Sequence, residues 1–212
     1  MRPVDDRLVT IQDEIRTSFN WDISEDIESA QNLADSCDNP KPKIHFSGIV
    51  TVVGANAPPN FIPKNPTIVA DGAIGAINDY SMVHLLVSDG DGFPYIQNAI
   101  EARIPICLHA HGHNQEEWEK VLHLAGEDYP ILLTHQTPLI IENMSNPGGF
   151  TDGDRAVCIA FALGADSVEL VGFSTKEVGQ WSGVTDSKRK LIKLKWMNRV
   201  LQMLNLGVSD EE

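Results

Sequence analysis

The amino-acid sequence predicts an α/β fold in which a mostly parallel sheet carries helices on both faces. Three observations carry that prediction. First, short apolar or β-branched runs recur after Gly48: Ile49–Val53, Thr67–Ala70, Val83–Val87, Ile104–Leu108, Ile131–Leu133 and Val168–Val171. Second, these runs are nearly continuous in apolar character, as expected of strands buried on both sides. Third, helix candidates at 73–79, 94–102, 115–125 and 154–163 separate them, and a long helix at about 187–205 closes the chain. That alternation is the signature of helices packed across a parallel sheet.

Taken in order, residues 1–43 lack any strand-like run. Leu8, Ile11, Ile15 and Phe19 fall at spacings of three or four and form one apolar helical stripe. A second helix is expected with Ser24 as its N-cap and acids in its first turn. Asn39-Pro40-Lys41-Pro42 then ends the helical pattern. The expected organisation is a helical appendage at 1–43 packed on an α/β body at 44–212, one compact unit.

Composition narrows the function classes. Lys and Arg number 16 and Asp and Glu 30, a net charge of −14 in 212 residues. Such an excess of carboxylates repels phosphate backbones, so nucleic acid is not an expected partner. No apolar run approaches the roughly 20 residues that cross a bilayer, and the charged N-terminus lacks the apolar segment of a signal peptide. Cys37, Cys107 and Cys158 form no CxxC pair, so a reducing, cytoplasmic setting without structural disulfides is expected.

Polar chemistry collects after the strands. The runs lead into Gly54-Ala55-Asn56, Asp71-Gly72, Ser88 to Gly92, His109 to Asn114, Thr134-His135-Gln136 and Gly172-Phe173-Ser174. Ligands of parallel α/β sheets bind outside the carboxyl ends of the strands, so these segments mark one edge as a site. Asp89 and Asp91, spaced by glycine, can turn two carboxylates toward one point and suit Mg²⁺. The same Asp-Gly pair also signals a plain turn. His109, His111 and His113 alternate before Asn114, as in a zinc site or as caps and backbone partners of a helix start. Gly148 to Arg155 opens a helix with Thr151 or Asp152 as its cap and an early Arg, either an anion cradle or an ordinary capped start. On the last helix Arg189, Lys190 and Lys193 share the arc that later turns apolar through Ile192, Trp196, Met197, Val200 and Leu204. These three cations should face the body of the protein and suit polyphosphate, whereas Lys188, Lys195 and Arg199 should face solvent.

In order and spacing, GAN at 54–56, VADGAI at 69–74, SDGDG at 88–92, HAHGHN at 109–114 and GGFTDGDRA at 148–156 resemble one family. It is that of the archaeal 6-hydroxymethyl-7,8-dihydropterin diphosphokinases, whose Rossmann-like catalytic domain is similar to that of thiamin diphosphokinase. The resemblance covers roughly residues 45–200. It implies transfer of diphosphate from ATP to the hydroxymethyl group of the pterin with release of AMP, in pterin or folate-type cofactor biosynthesis. By the same resemblance Asp89 and Asp91 bind Mg²⁺, Asp71 belongs to their acidic cluster, and HAHGHN and GGFTDGDRA line the cleft.

The expected roles follow from the residues and the resemblance together. Asp89, Asp91 and His111 are the catalytic set, with His111 as proton acceptor. Gly54, Asn56, Gly149, Thr151, Asp154, Arg155, Arg189, Lys190 and Lys193 are expected around ATP. Asp71, His109, Asn114 and Gln136 are expected near the acceptor. Partners are small molecules, ATP and a reduced pterin, with no membrane; a homodimer is compatible with this reading. Two positions depart from the family pattern: His113 stands where Asp is usual, and Gly90 where a bulkier residue is usual. The alternatives are a thiamin diphosphokinase, a zinc hydrolase using HAHGH, and a nucleotide- or pterin-binding module without catalysis.

Overall fold

In a computed structural model, which describes residues 1–208, the chain forms a seven-stranded sheet. Its strands are β1 (Ile49–Val53), β2 (Thr67–Ala70), β3 (Val83–Ser88), β4 (Ile106–Ala110), β5 (Ile131–His135), β6 (Met144–Ser145) and β7 (Ser167–Val171). Their order is β6-β5-β4-β3-β2-β1-β7, and each adjacent pair is parallel. The last four residues of the expected 44–212 body lie outside the described residues. The chain steps outward from β1 to β6 and then returns to set β7 against the other side of β1. All strand carboxyl ends therefore share one edge.

Both faces are covered, which is why the strands are continuously apolar. Successive residues of a strand point to opposite sides, and the core divides accordingly. Val53, Val69 and Leu86 join Ile74, Ile96 and Trp118 on one side. Val52, Ile68 and Leu85 join Ala156, Ile159, Met197 and Leu201 on the other. The first side is covered by α2 (Ile23–Ser36), α3 (Tyr95–Glu101) and α4 (Gln115–Ala125), the second by α5 (Asp152–Ala162) and α6 (Ser187–Met203). Helix α1 (Arg7–Phe19) buries its predicted stripe, Leu8, Ile11 and Ile15, against Phe150, Cys158 and Val200. The two N-terminal helices thus grip different parts of the body.

Several local expectations shift for identifiable reasons. Helix α2 starts at Ile23, because the Asp22 carboxylate accepts from the Ser24 amide at 2.9 Å and so caps the helix ahead of Ser24. The helix expected at 73–79 is a short 3₁₀ turn over Asp71–Ala76, entered through Asp71 at φ 46°. Strand β4 begins after Pro105, which has no N–H to donate, although its carbonyl accepts from Leu86 at 2.9 Å. The two-residue β6 carried no sequence signal. On α6, Ile192 is 51% exposed and lies beside the outward arc, while Leu194 and Leu201 take the buried side. The three cysteines are free and buried. No helix among the described residues is long and apolar enough to cross a membrane.

Candidate active site

At the carboxyl edge, three aspartates converge. Strand β2 ends at Ala70, and Asp71 adopts the left-handed conformation that Asp tolerates better than most side chains. Strand β3 ends at Ser88, whose hydroxyl donates to Asp71 Oδ1 at 2.6 Å and accepts from the Gly90 amide at 2.9 Å. Gly90 turns the loop at φ 100°, and a Cβ there would fall 2.7 Å from the Glu117 carbonyl carbon. A bulkier residue at this position would therefore have no room against α4. Gly92 is needed for a different reason: a Cβ would sit 2.6 Å from the Asp71 carboxyl carbon. As a result, one oxygen from each of Asp71, Asp89 and Asp91 lies within 4.8 Å of the others.

This donor set fits Mg²⁺. Carboxylate oxygens are hard ligands, and oxygens about 2.1 Å from one ion stand at most about 4.2 Å apart, so small side-chain rotations would close the set. A fourth acid, Asp152 at the start of α5, also lines the cleft. Burial, then the neighbouring carboxylates, push Asp71 well above the ordinary range and Asp152 up to about 7. Burial and then Asp89 also raise Asp91. Burial opposes ionisation of Asp89 as well, but the hydrogen bond and charge of His111 outweigh it and hold Asp89 low.

The raised groups retain protons in the folded chain that the unfolded chain has already lost, so their effect weakens the fold as pH rises from their unfolded toward their folded values. Asp89 acts in the opposite sense, with stability lost only as pH falls through its low folded value. A divalent cation would relieve the repulsion that grows with pH. Added Mg²⁺ is therefore expected to raise Tm more at about pH 8 than at about pH 5, measured by thermal unfolding. Equal shifts at both values would contradict this account of the carboxylates.

Of the three histidines of HAHGHN, His109 and His111 keep their rings 5.7 Å apart, while His113 points away. His109 is fully buried, with Nδ1 3.1 Å from Thr134 Oγ1. His111 reaches the cleft and places Nε2 3.0 Å from Asp89 Oδ2. His113 has a side chain 83% exposed and pairs with Glu25 at 3.3 Å. Such a spread provides no common point for zinc. Purified protein is expected to hold little zinc and to regain activity after chelation with Mg²⁺ alone; tightly retained zinc required for turnover would contradict this.

Asn114 acts behind the wall rather than in it. Its Nδ2 donates to the carbonyls of Asp89 at 2.9 Å and His109 at 2.8 Å, while Oδ1 accepts from the His111 amide at 2.9 Å and Ser29 Oγ at 3.1 Å. It ties the ends of β3 and β4 to α2. Asn114→Ala is expected to cost about 2–4 kcal/mol, since it leaves several buried partners unmade. Denaturant unfolding checks this, and a loss within error would contradict it.

Gln136 lines the cleft and is held by the N-terminal helices. Its Nε2 donates to Asp26 Oδ2 at 3.0 Å, and its carbonyl accepts from Arg16 Nη1 at 2.7 Å. Asp26 also accepts from the Gly112 amide at 2.7 Å, and Arg16 pairs with Asp13 and Asp26. Arg16 and Asp26 were not among the expected site residues, for no motif contains them. Their signal would have been their charge within otherwise apolar helical faces.

Gly54, Asn56 and Thr151 line the cleft. The ends of β1 and β7 are laced together by Gly54 N to Val171 O at 2.8 Å and Asn56 N to Gly172 O at 2.9 Å. Across from them, Asp154 is buried beneath the loop, accepting from the amides of Phe150 and Thr151, each at 2.7 Å. Arg155 is also buried, donating to Asp152 Oδ1 at 3.1 Å and the Phe150 carbonyl at 3.0 Å. Gly149 lies against the Arg155 backbone, outside the cleft lining. These three residues hold the loop, whereas Thr151 and Asp152 face the cavity.

Lys190 and Lys193 of α6 also line the cleft. Burial, followed by the nearby Lys190, lowers the pKa of Lys193. Arg189, expected to face the body beside them, is instead exposed: it lies 5.5 Å from the centre of the Trp21 ring and lines only an adjoining chamber. Lys188, Lys195 and Arg199 are exposed, and Arg199 pairs with Glu14 at 2.9 Å. Acids that can hold a cation thus share the cleft with lysines that can meet phosphate oxygens.

No family model matches the chain. It is 38% identical over 151 residues to a 6-hydroxymethyl-7,8-dihydropterin pyrophosphokinase of Pyrococcus furiosus, covering 65% of this chain and 61% of the relative. A protein of the same name from Methanothermobacter thermautotrophicus is 33% identical over 150 residues, covering 65% and 62%. A third, from Methanocaldococcus jannaschii, is 36% identical over 112 residues, covering 51% and 46%. The chain therefore spans about three fifths of the length of the first two curated relatives it matches and less of the third. These archaeal relatives carry the name of the family that the sequence motifs resemble.

Proposed function

We propose that this chain transfers diphosphate from ATP to the hydroxymethyl group of 6-hydroxymethyl-7,8-dihydropterin, releasing AMP. The observation that carries the reading is the acidic trio Asp71, Asp89 and Asp91 sharing one cleft with Lys190 and Lys193. The pyrophosphokinase relatives support the same chemistry. Transfers of this kind depend on alignment and charge neutralisation more than on covalent help from the protein.

In this reading the acceptor hydroxyl attacks the β-phosphorus, the bond to the α–β bridging oxygen breaks, and AMP leaves with that oxygen. Asp71, Asp89 and Asp91 would hold Mg²⁺, which supplies positive charge to the phosphate oxygens. Lys190 and Lys193 would neutralise the rest of the triphosphate. His111 would take the hydroxyl proton on Nδ1, because a hydrogen on Nε2 directed at Asp89 leaves Nδ1 as the acceptor. Thr151, Gly54 and Asn56 would contact the nucleotide. Arg155, Asp154 and Gly149 would shape the loop, and His109 and Asn114 would position His111 and Asp89. The setting would be cytoplasmic, with small molecules as the partners.

The test is acceptor-dependent AMP release with ATP and Mg²⁺. AMP formed with reduced 6-hydroxymethylpterin, and not with thiamin, is expected. AMP with thiamin alone would make the chain a thiamin diphosphokinase, ADP would make it an ordinary kinase, and no turnover would leave a binding module.

A further inference from the structure

Beside the main cleft lies a second chamber of about 1020 Å³, counting space open to solvent, bounded by the start of α2, the loop after β4 and the first turns of α6. Trp21, His111, Gln136, Lys190 and Lys193 line both chambers and form their common boundary. Asp71, Asp89 and Asp91 line only the main cleft. A transfer between two substrates needs two compartments whose reacting groups meet at a boundary. The phosphates belong where the carboxylates are, which leaves the second chamber for the acceptor.

Its walls point to the chemistry of that acceptor. Trp21 offers a large aromatic surface, fixed by Phe19 stacked at 4.6 Å and by Phe150 at 6.0 Å. The chamber also holds carboxylates, and most of them are occupied. Asp22 caps α2 through the Ser24 amide, Asp186 caps α6 through the Arg189 amide at 2.7 Å, and Asp26 is taken by Gly112, Gln136 and Arg16. Glu25 remains, half-buried on the chamber wall and paired with the surface imidazole of His113 at 3.3 Å. A planar ring with an amino-pyrimidinone edge presents adjacent N–H donors that match the two oxygens of one carboxylate.

We infer that the second chamber is the acceptor site, with Trp21 as the surface against which the heterocycle stacks and Glu25 as the group that recognises its N–H edge. This inference rests on the proposed diphosphate transfer. The N-terminal helices then select the acceptor, while the α/β body handles ATP.

The experiment is steady-state kinetics with Mg²⁺, ATP and 6-hydroxymethyl-7,8-dihydropterin for the wild type, Glu25→Gln, Trp21→Leu and Trp21→Phe. Glu25→Gln is expected to raise the acceptor KM about tenfold or more, and Trp21→Leu by a similar factor. Trp21→Phe keeps a ring against Phe19 and Phe150 and should fall between Trp21→Leu and the wild type. Because Glu25 lines only the second chamber, the KM for ATP should stay within about twofold in Glu25→Gln. An unchanged acceptor KM, or a rise in the KM for ATP instead, would overturn the assignment while leaving the proposed reaction standing. If the wild type releases no AMP with the pterin, the proposed reaction fails, and equilibrium binding of 6-hydroxymethylpterin decides the site separately. Binding that Glu25→Gln weakens supports the chamber; equal binding, or none, overturns it.

Discussion

Asp91→Asn is expected to lower ATP-dependent turnover roughly a hundredfold or more while leaving the cation-free protein at least as stable as the wild type. The two halves of that expectation share one cause. Asp91 belongs to a set of carboxylates that repel one another, and its own pKa is raised by burial and by Asp89. Removing its charge relieves the repulsion in the empty cluster but removes a ligand oxygen. Functional sites commonly hold such locally unfavourable arrangements. Asp89→Asn should match the loss of turnover without the gain in stability, because Asp89 also accepts from His111 at 3.0 Å. Rate assays beside thermal unfolding, with and without Mg²⁺, check both variants. Wild-type rates in both would remove the proposed cation site.

The second large effect is expected on α6. Replacing Arg189, Lys190 and Lys193 together by Gln should lower kcat/KM for ATP by well over about tenfold. Each charge that meets a phosphate oxygen in a partly desolvated cleft contributes on the order of 1.5–3 kcal/mol. Lys190 and Lys193 line that cleft, and burial already lowers the pKa of Lys193. Replacing Lys188, Lys195 and Arg199 should change little, because exposed charge pairs are worth about 0–1 kcal/mol. Arg155 is no substitute, for its guanidinium is held by Asp152 and the Phe150 carbonyl. Equal behaviour of the two triple variants would reduce α6 to a charged surface.

The strands were readable because a sheet buried on both faces leaves little choice of residue, and β1 and β2 match their expected limits at Ile49–Val53 and Thr67–Ala70. The start of β4 was less readable, since an apolar Ile104 before Pro105 resembles strand without being able to continue the ladder. The acidic loop was legible from Asp-Gly-Asp-Gly alone. The inward direction of Lys190 and Lys193 is legible from the helical wheel, because the same arc becomes apolar one turn later. Arg189 on that arc is exposed, since it lies in the first turn of α6 beside Trp21. Asp152 is legible as a candidate cap but not as a member of the acidic cleft, for a sequence does not show which of several neighbouring carboxylates ends up buried beside others. The role of Asp26 and Arg16 was equally hidden: they act on Gln136 and Gly112, more than 80 residues away in the chain. Alternation brings His109 and His111 side by side, but the departure of His113 is not readable from it, because strand β4 ends at Ala110.

Label transfer from ATP tests the central claim most directly. The protein is incubated with Mg²⁺, reduced 6-hydroxymethylpterin and ATP carrying phosphorus label at either the α or the β position. Attack at the β-phosphorus puts the β label on the pterin and leaves the α label in AMP, and the account predicts that outcome. Label from the β position recovered in ADP, or an α label found on the pterin, would contradict it.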